Sequence, residues 1–217
     1  MVDEAGGECV TIRADVRSST RMGEAMREAL FEYGRIDICI ASAGVVSFGS
    51  VESLSDQQWR AVIDTNLTGT FNTVRAIIPP MVKAGYGRIV TVASMGGRAG
   101  APRLGHYAAS KWGVIGLTKT IALELAGTGV TANVLCPTTV STDMVHNPAM
   151  YALFAPDLVN PDQDQVQSRY ASLNPMRVPW MDTSDVTGAM LYLVSGNARY
   201  VSGATVEISA GVSARLP

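Results

Sequence analysis

Apolar positions along the chain switch between two periods. In "ECVTIRA" (8–14), "RIDICIAS" (35–42), "RIVTVAS" (88–94), "VTANVLC" (130–136) and "ATVEISA" (204–210) they form short blocks of strand length, rich in β-branched residues. Between these blocks the spacing becomes helical. In "STRMGEAMREALFEYG" residues Met22, Met26, Ala29, Leu30 and Tyr33 share one face. "SDQQWRAVIDTNLTGTFNTVRAIIPPMVKAG" opens on a Ser55 cap followed by Asp56 and predicts one long helix ending near Gly85. "HYAASKWGVIGLTKTIALELAGTG" predicts another, stopped by Gly127 and Gly129, and "SDVTGAMLYLVSG" a last one. Strands alternating with helices specify an α/β fold, a Rossmann-like doubly wound parallel sheet covered on both faces. From Pro137 to about Asp182 the rhythm fails. Prolines at 148, 156, 161, 175 and 179 and many polar residues predict a long loop with short helices. The expectation is a single domain over 1–217 with an insertion at about 138–182.

Composition narrows the choice of partners. With 217 residues, 47% of them hydrophobic, the chain can bury one sizeable core. Seventeen Lys and Arg against nineteen Asp and Glu, with no basic run, argue against nucleic acid. No apolar run reaches the ~18 residues of a membrane span. The opening "MVDEAGGECV" has no basic segment leading into an apolar one, so a cytoplasmic protein without a membrane partner is expected. Cys9, Cys39 and Cys136 each lie in a strand-like block and read as reduced, buried thiols. His106 and His146 have no companion ligands, so no metal site is expected.

Parallel sheets bind ligands beyond the carboxyl ends of their strands. Gly44 follows block 35–42, Ser94 closes block 88–94, and Pro137 and Thr138 follow block 130–136. Tyr107 and Lys111 open the next helix near the same edge, four residues apart and so on one face. A phenol titrates near pKa ~10, and it serves as a general acid or base at neutral pH when a neighbouring cation favours its ionised form.

This constellation resembles the short-chain dehydrogenase/reductase family. The matching pieces are "VTVAS" ending at Ser94, "YAASK" with Tyr107 and Lys111, "TNLTGTF" around Asn66, "ADV" at Asp15 and Val16, "ASAG" at 41–44, and "PTTVSTDM" after Cys136. The loop from 144 to 182 is similar to the carveol-dehydrogenase-like branch, which is associated with mycofactocin and tightly held NAD. The resemblance implies an oxidoreductase that moves a hydride between NAD, or NADP, and a small apolar secondary alcohol or ketone. It implies catalytic roles for Asn66, Ser94, Tyr107 and Lys111: Tyr107 as acid-base, Lys111 shifting the Tyr107 phenol toward neutrality and holding the nicotinamide ribose, and Ser94 steadying the substrate oxygen. Asn66 would bend its helix and hold a water linked to Lys111. Cofactor contacts are implied at Asp15, Val16, Ala43, Gly44, Asn66, Tyr107, Lys111, Pro137, Thr138, Val140 and Thr142. The apolar Met144, Met150, Tyr151, Leu153, Phe154, Leu158 and Val159 are expected to form a lid over the substrate.

The family's fold opens with a strand, a glycine-rich turn and a helix, then a second strand. "MVDEAGG" matches the tail of the helix that follows these, so the expected sheet lacks the first two strands and the glycine-rich turn. Two functions follow as expectations. One is the dehydrogenase, paired as a homodimer or homotetramer through its two long helices. The other is a non-catalytic truncated remnant that packs or oligomerises through those helices without binding cofactor.

Overall fold

The computed structural model of the chain describes residues 5–216. Four parallel strands form one sheet in the order β1-β2-β3-β4: β1 (Ile38–Ala41), β2 (Gly87–Val92), β3 (Val130–Pro137) and β4 (Thr205–Ile208). The register runs Cys39 to Ile89, Ile89 to Ala132 and Leu135 to Val206. Every connection is a crossover that carries helix, as parallel pairing demands. Helix α1 (Ser19–Tyr33) is capped by Ser18, whose side chain accepts from the Arg21 N–H, and ends on a left-handed Gly34.

The long helix predicted from Ser55 to Gly85 forms with one interruption. Its start carries a capping box in which Ser55 and Gln58 exchange bonds. α2 (Asp56–Ile63) then loosens into a π turn (Asp64–Thr68) before continuing as α3 (Gly69–Ala84). Helices α4 (Gly105–Glu124) and α7 (Thr183–Val194) complete the layers. Beneath the amino ends of the strands, Val74, Ile77 and Met81 of α3 and Ile121, Ala122 and Leu125 of the α4 region close on Cys39, Ile89 and Ala132.

Three expectations change. Residues 8–14 form no strand, because among the described residues no strand lies beside them to complete a ladder. Cys9 is exposed for the same reason, whereas Cys39 and Cys136 are buried free thiols. The sheet is covered on both faces at β2 and β3 only. At β1, Cys39 and Ala41 face the core while Ile38 and Ile40 are exposed.

The insertion after β3 holds α5 (Pro148–Phe154) and α6 (Gln163–Ser172) around a core of its own: Val145, Tyr151, Ala155, Val166 and Tyr170. Phe154 leans on Tyr170 with ring centroids 4.7 Å apart. The neck is a two-way backbone bridge, with Ser141 N–H donating to Met181 C=O and Met181 N–H to Thr139 C=O, both at 2.9 Å. Of the residues expected to cover a substrate, Tyr151, Phe154 and Leu158 therefore pack inward, while Met144 and Val159 are exposed.

One backbone approach sets the floor of the sheet. Gly129, at φ +82°, lies so close to Gly85 that a Cβ would sit 2.1 Å from the Gly85 carbonyl oxygen. Gly129→Ala should cost about 2–4 kcal/mol through overpacking and left-handed strain. At ~2–4 °C per kcal/mol for a chain of this size, the melting midpoint should fall on the order of 10 °C, measured by circular dichroism.

Candidate functional site

The carboxyl edge of the sheet gathers the predicted residues. After β2 the chain turns at Ser94, whose backbone is extended and whose Oγ accepts from the Gly96 N–H at 3.1 Å, starting a 3₁₀ turn (Met95–Gly97). With its oxygen engaged there, the Ser94 hydroxyl still has its proton to donate. The turn packs directly on α4. A Cβ on Gly97 would sit 2.9 Å from both the carbonyl carbon and oxygen of Lys111, and one on Gly96 would sit 3.2 Å from Tyr107 Cε1 and 3.6 Å from Ser94 Oγ. The Tyr107 ring is thus wedged beside Ser94 over this turn. "MGGRAG" marks the turn in the sequence, and the closeness of the approach shows what its glycines are for.

Lys111 lies one helical turn beyond Tyr107. It is only 5% exposed, and its Nζ donates to Val92 C=O at 2.9 Å and sits 5.6 Å from the Tyr107 ring centroid. Val92 is the one acceptor for this ammonium among the described residues, so two of its three hydrogens are unspent. The space they face includes Gly44, where a Cβ would lie 3.5 Å from both Lys111 Nζ and Asn66 Oδ1.

Asn66 sits in the π turn, a local widening that recurs at functional sites. Its Oδ1 accepts from Val45 N–H at 2.8 Å, and its Nδ2 donates to Val45 C=O at 2.9 Å and to Ser110 Oγ at 3.1 Å. Its amide therefore stitches the loop after β1 to the middle of "YAASK". The expected bend in the helix is this π turn, and Ser110 is a partner that motif reading passes over.

Burial dominates the electrostatics. It lowers Lys111 to about 8, and it raises the Tyr107 phenol, against which the Ser94 hydrogen bond works in the opposite direction. Burial thus keeps the resting phenol protonated. Cys136, below the pair, is raised to about 11 by burial and stays a neutral thiol.

On the far side of the loop after β1, Asp15, Val16 and Ala43 line an open cavity of about 680 Å³ with Arg13, Val45 and Ser47. Asp15 does not cap α1. Its carboxylate accepts from Arg17 N–H, Nε and an Nη at 2.7–3.0 Å, which holds it down at about 2. Pro137, Thr138, Val140 and Thr142 leave β3 at the same edge as Ser94. Thr138 N–H donates to Ile208 C=O, Val140 bridges Met181, and Thr142 C=O accepts from Val145 and His146. Among the described residues there is no cluster of three metal-binding side chains and no helix long and apolar enough to cross a membrane.

Comparison with known proteins follows the same lines. A family model described as short chain dehydrogenase matches residues 1–150. The (-)-trans-carveol dehydrogenase of Rhodococcus erythropolis is 37% identical over 214 residues, covering 98% of this chain and 77% of that protein. The crystal structure of carveol dehydrogenase from Mycobacterium avium in complex with NAD superposes with a TM-score of 0.94 at 38% identity, covering 96% of this chain and 76% of the other. Levodione reductase superposes at 0.89 with 28% identity, covering 97% and 79%.

The burial of Lys111 has a measurable signature. Below about pH 8 folded and unfolded chains both carry the charge, and burial weighs on the fold by on the order of 3 kcal/mol. Between about 8 and the ordinary lysine value of 10.5 the unfolded chain keeps a proton that the folded one has shed, so stability rises with pH. Lys111→Met should therefore match or exceed the wild type in urea unfolding at pH 7, and this advantage should shrink toward pH 10.

Proposed function

The chain belongs to the short-chain dehydrogenase family of oxidoreductases, and on that footing we propose that it moves a hydride between NAD and a small apolar secondary alcohol or its ketone. The observation that carries this reading is the meeting of three groups over one turn: the Ser94 hydroxyl with a proton to give, the Tyr107 phenol wedged beside it, and the buried Lys111 amine behind it.

The residues fit a dinucleotide. Lys111 has two hydrogens unspent beside a glycine at 44, which leaves room for a ribose, and the cavity at Asp15, Val16 and Ala43 lies farther along the same edge. In this reading Lys111, Asn66, Gly44, Pro137, Thr138, Val140 and Thr142 hold the nicotinamide half, and Asp15 and Val16 the adenine end. NAD, when bound, supplies the acceptor or donor of the hydride. Tyr107 supplies the proton: it gives its hydroxyl hydrogen to a ketone oxygen or takes one from an alcohol. Ser94 donates to the same oxygen and steadies its negative charge. Lys111, charged below about pH 8, stabilises the phenolate that remains.

Similarity to the two carveol dehydrogenases supports an apolar substrate and the mycofactocin-associated branch. Exposed Trp59, Phe71, Trp112 and Leu123 on α2, α3 and α4 support a homodimer or homotetramer joined through these helices. A purely structural role leaves the burial of Lys111 without a reason, since burying a charge is costly unless something uses it.

Tyr107→Phe keeps the ring and removes the transferable proton. With NAD and a panel of apolar secondary alcohols, followed by NADH absorbance, turnover should fall by ~10² to 10⁴ while the melting midpoint stays put. Turnover near the wild-type rate would refute the assignment.

A further inference from the structure

His106, immediately before Tyr107, is fully buried, and its Nε2 lies 2.7 Å from Ser47 Oγ. Its other nitrogen, Nδ1, is buried and has no partner among the described residues. Burial lowers its pKa, so the ring is neutral at physiological pH. An imidazole with one nitrogen unsatisfied is an expensive way to fill a core, because an orphaned buried polar atom gives up its hydrogen bond to water and gains none in return. A leucine of similar size would avoid that cost.

The position of the bond suggests what it does. Ser47 belongs to the loop that follows β1, and with Ala43 and Val45 it lines the cavity proposed above for the cofactor. His106 belongs to the first turn of α4, which has no side-chain cap at Leu104. Three hydrogen-bonded links among the described residues tie the loop to the helix or its approach. Gly49 N–H donates to Arg103 C=O at 3.0 Å just before the helix, Asn66 joins Val45 to Ser110, and Ser47–His106 lies between them. Of these, the Ser47–His106 bond is the one whose helix end adjoins Tyr107.

We propose that His106 is a positioning residue: through Ser47 it fixes the cavity wall relative to the turn of α4 that carries Tyr107, and it is kept for this at the expense of fold stability. The kinetic part of this proposal rests on the oxidoreductase reading, while the mechanical part does not.

The test uses the full chain with His106→Leu, Ser47→Ala, the double variant and His106→Gln, whose amide can again bond Ser47. Amide hydrogen exchange at Val45–Ser47 and Gly105–Tyr107 should quicken at least tenfold in His106→Leu and in Ser47→Ala, and return toward wild type in His106→Gln. The melting midpoint of His106→Leu should equal or exceed that of the wild type. Turnover should fall about tenfold in each single variant and no further in the double, as for two halves of one contact. Exchange unchanged in both single variants would overturn the proposal, as would a midpoint lowered by several degrees in His106→Leu with turnover intact. A wild-type chain without turnover would count against the oxidoreductase reading alone, and the exchange and melting measurements would still decide this one.

Discussion

The backbone of the Met95–Gly97 turn lies directly against the backbone of α4 at Lys111, and the rest of the site depends on that contact. Close approach at Gly97 brings Ser94 from the end of β2 and Tyr107 from the start of α4 into one small volume, although they belong to different layers. A side chain at 97 would push the two elements apart. Ser94 would then face solvent, and Lys111 would lose its carbonyl partner at Val92. The geometry of the site is thus set by the absence of atoms at one position as much as by the groups around it.

The two ends of the sheet are built on different principles. At the amino end Cys39, Ile77, Met81, Ile89, Ile121 and Leu125 are buried together and need no partners beyond contact. At the carboxyl end Asn66, His106, Ser110 and Lys111 are buried too, and each is polar. Asn66 spends both amide hydrogens and one lone pair of its oxygen, whereas Lys111 and His106 leave more of their hydrogen-bonding capacity unused among the described residues. Stability comes from the first end, and it carries the second. Local violations of good packing cluster at one edge because that edge has another task.

Much of this was legible in the sequence. The strand blocks after residue 35, the Ser55 cap and the stop at Gly85 follow from period and capping alone, and the structure bears them out, whereas the short helices within 138–182 follow only from the length of that segment. Block 8–14 misled because its alternating pattern describes a strand only when a neighbour supplies the ladder, which local pattern cannot reveal. Phe154 and Leu158 misled for a related reason: apolarity says that a residue is buried, not what buries it. At the site, the motifs pointed to Asn66, Ser94, Tyr107 and Lys111, but not to the carbonyl at Val92 that holds Lys111, the loop amide at Val45 that holds Asn66, or the hydroxyl at Ser47 that holds His106 beside Tyr107. Such groups have no signature of their own, since any residue carries a carbonyl and serines are everywhere.

The insertion after β3 is pinched at its neck by the Ser141–Met181 and Met181–Thr139 backbone bonds, is tied to the end of the sheet by Thr138 N–H to Ile208 C=O and Met176 N–H to Ala210 C=O, and gathers its large apolar residues into a cluster of their own. Backbone bonds do not depend on side-chain identity, so the neck tolerates almost any sequence on either side of it. Tyr151, Val166 and Tyr170 can drift without disturbing Ile89 or Leu135, and the sheet can accumulate changes without reshaping the insertion. The two parts are free to evolve at different rates, so one scaffold can be fitted with differently shaped covers while the groups over Gly97 stay as they are.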